Sequence, residues 1–124
     1  MLSGVVLKAG GTSRSQKMET TIVRYKVKTD RAEENREYIR KVFGELDTAK
    51  PDGLRYVSFN LDDGLSFVHI AVVETDDGNN PLPDTKSFQD FVSGIKDRCE
   101  EPPVATKADI VGSYRLFWQR ELEN

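Results

Sequence analysis

Two strand-like runs, LRYVSFNL at residues 54–61 and LSFVHIAVVE at residues 65–74, lie so close in the chain that a tight hairpin is the natural connection. Asp63 and Gly64 both tolerate positive φ, which places them in a two-residue loop. That loop fixes a register. With Asp62 opposite Leu65, Phe59 opposes Val68 and Val57 opposes Ile70 on one side of the ribbon. Asn60 then opposes Phe67, Ser58 opposes His69 and Tyr56 opposes Ala71 on the other. The first side is wholly apolar and the second mixed, so the register sorts the residues by polarity.

The elements around this hairpin follow from periodicity. Thr20 to Lys28 alternate, with Val23, Tyr25 and Val27 on one side and Arg24, Lys26 and Lys28 on the other, as in a half-buried strand. A helix follows, with Asp30 and Glu33 at capping-box spacing and an apolar stripe of Tyr38, Ile39, Val42, Phe43 and Leu46. Pro51, Asp52 and Gly53 mark its exit. After the turn-rich TDDGNNPLPD, a second helix carries Phe88, Phe91, Val92 and Ile95 and ends near Cys99, ahead of Glu100, Glu101, Pro102 and Pro103. A closing strand is predicted from Ala108 to Trp118.

The order β-α-β-β-α-β predicts an α+β, ferredoxin-like subunit: a four-stranded antiparallel sheet with both helices on one face. The helix stripes are expected to cover Val23, Tyr25, Val27, Val57, Phe59, Val68, Ile70 and Val72. The open face would then carry Arg24, Tyr56, Ser58, Asn60, Phe67, His69, Ala71 and Val73, too apolar for a plain solvated surface. A second copy of the sheet is the expected cover, making a homodimer through that face. Residues 18–119 form this domain, between a flexible glycine- and serine-rich extension at 1–17 and a polar tail at 120–124.

Charge and composition narrow the partners. The 124 residues suit one core, and the net charge of −3, drawn from both signs, gives no electrostatic footprint for nucleic acid or an anionic membrane. The early apolar stretch LSGVVL is too short for a secretory core or a bilayer span. Cys99 is alone, so no intrachain disulfide or Cys-x-x-Cys pair exists, and a reducing cytoplasm suits the chain.

TTIVRYKVK, the first helix, DGLRYVSFNLDDGLSFVHIAVVE, the KSFQDFVSGI helix and the closing IVGSYRLF together resemble the dimeric α/β barrels, specifically the antibiotic-biosynthesis-monooxygenase-like proteins, over about residues 19 to 118. The resemblance implies two sheets packed face to face, helices outside, and a small-molecule cavity in each subunit. Known members include cofactor-free oxygenases of polycyclic phenols, haem-degrading enzymes and small isomerases, so fold is implied more strongly than reaction. Monooxygenase-like sequences often end the third strand in an aromatic pair, an acid and a tryptophan. Here it ends AVVE, and the one tryptophan is Trp118.

His69, the only histidine, is the candidate proton acceptor or donor, with Ser58 opposite to orient its ring. The alternative is an interface histidine whose nitrogens are satisfied by Ser58, Tyr56 or backbone. Arg24, Tyr56, Ser58, Asn60 and Phe67 are the candidate ligand-binding residues, suited to a small hydrophobic or aromatic compound with a phenolate, carboxylate or carbonyl oxygen. On the enzyme reading, replacing His69 by alanine is expected to abolish turnover while leaving dimer stability nearly intact. DDGNN at residues 76–80 lacks EF-hand spacing, and no phosphate loop, Gly-x-Ser-x-Gly elbow or His-Glu-x-x-His motif occurs. No cofactor or metal is expected. The reading is a cofactor-independent monooxygenase or isomerase, with a non-catalytic binding or structural homodimer as its rival.

Overall fold

The computed structural model describes residues 18–116. The extension at 1–17, the tail at 120–124 and Trp118 lie outside the described residues. Strand β1 (Glu19–Val27) leads through a 3-10 turn at Thr29–Arg31 into helix α1 (Ala32–Ala49). The hairpin strands β2 (Leu54–Asn60) and β3 (Ser66–Val73) follow, then a 3-10 turn at Leu82–Asp84, helices α2 (Lys86–Ser93) and α3 (Ile95–Arg98), and strand β4 (Cys99–Ala108). The sheet is antiparallel with spatial order β2-β3-β1-β4. This is the α+β, ferredoxin-like arrangement the element order implies.

The hairpin register is the one the sequence predicts: Asn60 with Phe67, Phe59 with Val68, Ser58 with His69, Val57 with Ile70 and Tyr56 with Ala71. Of the two loop residues only Gly64 takes positive φ, at 77°. Asp63 contributes its side chain instead, accepting from the Leu65 and Ser66 amides and the Ser66 hydroxyl at 2.7 to 2.8 Å. Those donors hold its carboxyl down at about 2.

Three expectations need correction. Asp30 does not cap α1; the helix is entered from Arg31 without a side-chain cap, and Glu33 pairs with Arg36 and Arg40. The closing strand starts directly at Cys99 and ends at Ala108, so the expected strand from 108 onward is displaced, and Val111, Tyr114 and Leu116 are exposed coil. Pro102 and Pro103 are tolerated because β4 is an edge strand paired only with β1, and the ladder shifts register where they sit, between the Lys26–Glu101 and Arg24–Val104 pairs.

The third correction concerns the hairpin's faces. Val23, Tyr25 and Val27 do face the helices, and β1 pairs Val23 with His69 and Tyr25 with Phe67. Residues directly opposite in an antiparallel ladder share a face, so His69, Phe67, Tyr56 and Ser58 lie on the helix side. The apolar set of Val57, Phe59, Val68 and Ile70 is on the other, with Val57 39% and Phe59 48% exposed. Arg24 alone among the candidate site residues is on the face first assigned to it.

The helix-side core joins Tyr25, Val27 and Phe67 of the sheet to Val42 of α1, Phe91 of α2 and Ile95 of α3. Tyr38, Ile39 and Leu46 of the α1 stripe pack against it. Glu45 of α1 binds the second helix, accepting from the free Lys86 and Ser87 amides at 3.3 and 2.8 Å.

Candidate functional site

β3 sends His69 between the sheet and the helices, where only 3% of it is exposed. A histidine this deep needs partners on both ring nitrogens, and both have them. Nε2 lies 2.7 Å from the Tyr25 hydroxyl. Nδ1 lies 2.6 Å from Ser58 Oγ and 2.9 Å from Tyr56 Oη, both supplied by the neighbouring strand β2. Burial lowers the imidazole to about 4, so it is neutral at pH 7. Burial also pushes the Tyr25 phenol far up and the Tyr56 phenol up to about 12, the latter partly offset by Ser58.

The polar chain continues inward from Tyr25. Asn35 of α1 donates through Nδ2 to Tyr25 Oη at 2.8 Å, and Arg98 of α3 donates through Nε to Asn35 Oδ1 at 3.0 Å. Arg98 also donates to the Phe91 carbonyl at 2.9 Å and lies over the Tyr38 ring, 4.3 Å from its centroid. Asn35 and Arg98 are fully buried, at 0% and 1% exposure, and among the described residues no buried side-chain polar atom lacks a partner. Desolvation lowers the guanidinium's pKa, yet arginine remains charged at neutral pH.

A cavity of about 320 Å³ opens beside His69, between the sheet and α2 and α3. Tyr25, Tyr56, His69, Thr21 and Asn80 supply its polar groups, and its other walls are aliphatic or aromatic, among them Val23, Leu82, Phe88, Phe91 and Ile95. No lining residue is charged when His69 is neutral. That size is at the low end for small-molecule sites. A more open groove of about 670 Å³ lies between the end of α1 and β2, with Tyr56 on the wall of both. It lacks the histidine, and its charged groups are the exposed Asp47–Lys50 pair.

The sequence candidates therefore separate. His69 and Tyr56 meet at the cavity, with Ser58 behind the ring. Phe67 is core, stacked on Tyr25 with centroids 5.5 Å apart. Asn60 accepts from Arg36 at 2.7 Å and donates to the Ser66 carbonyl at 3.0 Å. Arg24 is exposed on the opposite face and cannot reach a cavity ligand. Sequence reasoning missed Asn35 and Arg98 and counted Tyr25 as core. Asn35 carried a signal, since it precedes Tyr38 and Ile39 by three and four residues and so lies on the apolar stripe of α1. Among the described residues no group of three or more His, Cys, Asp or Glu side chains is placed to hold a metal ion.

No protein-family model matches the chain, and no curated protein does. Solved structures do. The chain has the fold of the antibiotic-biosynthesis-monooxygenase-like proteins. A Nitrosomonas europaea protein provisionally named an antibiotic biosynthesis monooxygenase superposes with a TM-score of 0.63 at 22% identity, over 76% of this chain and 90% of that one. A Caulobacter crescentus protein with the same provisional name gives 0.64 at 16% identity, covering 79% and 93%. The cofactor-independent oxygenase SnoaB from Streptomyces nogalater, as a point mutant, gives 0.58 at 15% identity, covering 77% and 95%. At these identities the likeness establishes architecture.

Proposed function

We propose that this protein is a cofactor-independent oxygenase or isomerase acting on a small, uncharged aromatic or polyketide-like compound in the helix-side cavity. The observation that carries the reading is the placement of the only histidine, with Tyr56, on the wall of a cavity that is mostly apolar and free of charge. Cofactor-free oxygenation needs a substrate that becomes an electron-rich anion by losing a proton. His69, held neutral, can take up that proton at Nε2 through the Tyr25 hydroxyl, which lines the same cavity and passes its own hydrogen on as it receives one. The developing anion nearby raises the imidazole's proton affinity from its low resting value. The Tyr56 hydroxyl is placed to donate to the anion.

The rival reading, a non-catalytic binding or structural homodimer, draws on the saturation of both imidazole nitrogens in the free protein. One experiment separates the two. Hydroxylated bicyclic and tricyclic ring compounds are screened for binding, and those that bind are incubated under ¹⁸O₂ with product analysis by mass spectrometry. Labelled or isomerised product that disappears in His69→Gln supports the enzyme. Binding without turnover supports the binding form of the rival, and no binding by any ring compound removes the enzyme and leaves the structural homodimer.

We further propose that a second copy covers the open sheet face, now through Ile22, Val57, Phe59, Val68, Ile70 and Val104 beside Arg24, in place of the other residues first expected there. The exposed Val57, Phe59 and Val104 support this. Phe59→Asp should convert a sedimenting dimer to a monomer; a monomeric unsubstituted protein would overturn it. No helix among the described residues is long and apolar enough to cross a membrane. A cytoplasmic location is proposed on the lone thiol of Cys99, which is buried.

A further inference from the structure

The hydrogen bonds around His69 have a direction, and the direction starts at a cation. A guanidinium only donates, so Arg98 must meet the oxygen of the Asn35 amide. The amide nitrogen is thereby turned towards Tyr25, whose hydroxyl oxygen accepts from it. With that contact made, the Tyr25 hydrogen has one remaining acceptor within reach, His69 Nε2 at 2.7 Å. If Nε2 carried the proton instead, two donors would converge on Tyr25 Oη and its own hydrogen would have no protein acceptor, giving up a buried hydrogen bond. The imidazole proton is then left on Nδ1, shared between Ser58 Oγ and Tyr56 Oη.

We infer that Asn35, oriented by the buried cation of Arg98, is a positioning residue that fixes His69 as its Nδ1–H tautomer and so makes the cavity end of the network a hydrogen-bond donor. The chain runs Arg98, Asn35, Tyr25, His69, then Ser58 and Tyr56, with each donor pointing away from the guanidinium. Bonds aligned this way polarise one another. In this tautomer Tyr56 Oη accepts from the ring, so its hydrogen can turn to an acceptor in the cavity it lines. The ligand this end takes is therefore an oxygen acceptor, a ring ketone or the anion of a ring hydroxyl. The ligand class rests on the cavity reading above; the tautomer is a property of the free protein, so the two fail separately.

The test is the long-range ¹H–¹⁵N spectrum of the imidazole, free of overlap because the chain has one histidine. The unsubstituted protein should show a proton-bearing Nδ1 and an Nε2 resonance shifted far downfield as a bare acceptor. The opposite pattern, or an average of the two, overturns the inference without any variant. Asn35→Asp replaces the amide donor by an acceptor that still pairs with Arg98. Tyr25 then donates to the carboxylate and accepts from His69, so the characters of the two ring nitrogens should exchange. A folded Asn35→Asp that keeps the original pattern denies Asn35 its role. For the ligand class, 1-tetralone should bind about tenfold tighter than tetralin, which has no oxygen; equal affinity, or no binding of either, overturns that part.

Discussion

The two faces of this sheet solve burial in opposite ways. The helix-covered face encloses tyrosine, histidine, serine, asparagine and arginine, each satisfied by another member of the set. The open face carries Val57, Phe59, Ile70 and Val104, with Arg24 and the half-buried Arg55–Glu74 ion pair among them. A polar group inside costs little once its partners are present, and an apolar face outside is a surface awaiting a cover. Polarity therefore did not tell inside from outside; the availability of partners did.

The largest loss is expected at the deep end of the network. Arg98→Ala strips the partners from Asn35 Oδ1 and the Phe91 carbonyl and empties space under Tyr38. A loss of about 3–5 kcal/mol is expected, read from urea denaturation. A change near zero would mean the inner face does not depend on its polar partners.

Acid should weaken the inner face next. The folded imidazole titrates at about 4 against 6.5 for the free side chain, so between these values the unfolded chain binds the proton first. Stability is insensitive to this group above about pH 6.5 and falls towards pH 4, by about 3 kcal/mol in all. His69→Gln should lose that slope, while Asp63 titrates lower still. An identical pH dependence in the two proteins would break the argument that burial controls His69.

Tyr25→Phe keeps the ring and removes the hydroxyl linking Asn35 to His69, for an expected cost of about 1–3 kcal/mol by thermal or urea unfolding. The same reasoning corrects the first expectation for His69→Ala: it orphans Tyr25, Tyr56 and Ser58 and would lower stability, which is why glutamine is the better probe. Smallest of all is Arg24→Ala, on the far face, where the affinity of any cavity ligand should change by less than about 0.5 kcal/mol. A large change measured by titration would place Arg24 in the site after all.

Much of the architecture could be read from the chain by itself. The Asp63–Gly64 turn set the β2–β3 register, the α1 stripe named Val42 and its neighbours, and the alternation in β1 put Val23, Tyr25 and Val27 inside. These are local signals, because turn geometry and side-chain period are properties of consecutive residues. Of the site, His69, Ser58 and Tyr56 were legible as one cross-strand group, while Phe67, Asn60 and Arg24 went elsewhere. Three matters were decided only by tertiary structure. A period of two leaves the phase of a hairpin undetermined, and pairing with β1 turned the His69 side towards the helices. The strand Cys99–Ala108 has a charged, proline-containing sequence with little strand signal, and its place depends on the ladder it forms with β1. Arg98 is 63 residues from Asn35, in a stretch that reads as solvated; it was buried by the folding of α3 against α1 and the sheet, where an amide, a carbonyl and an aromatic ring replaced its water.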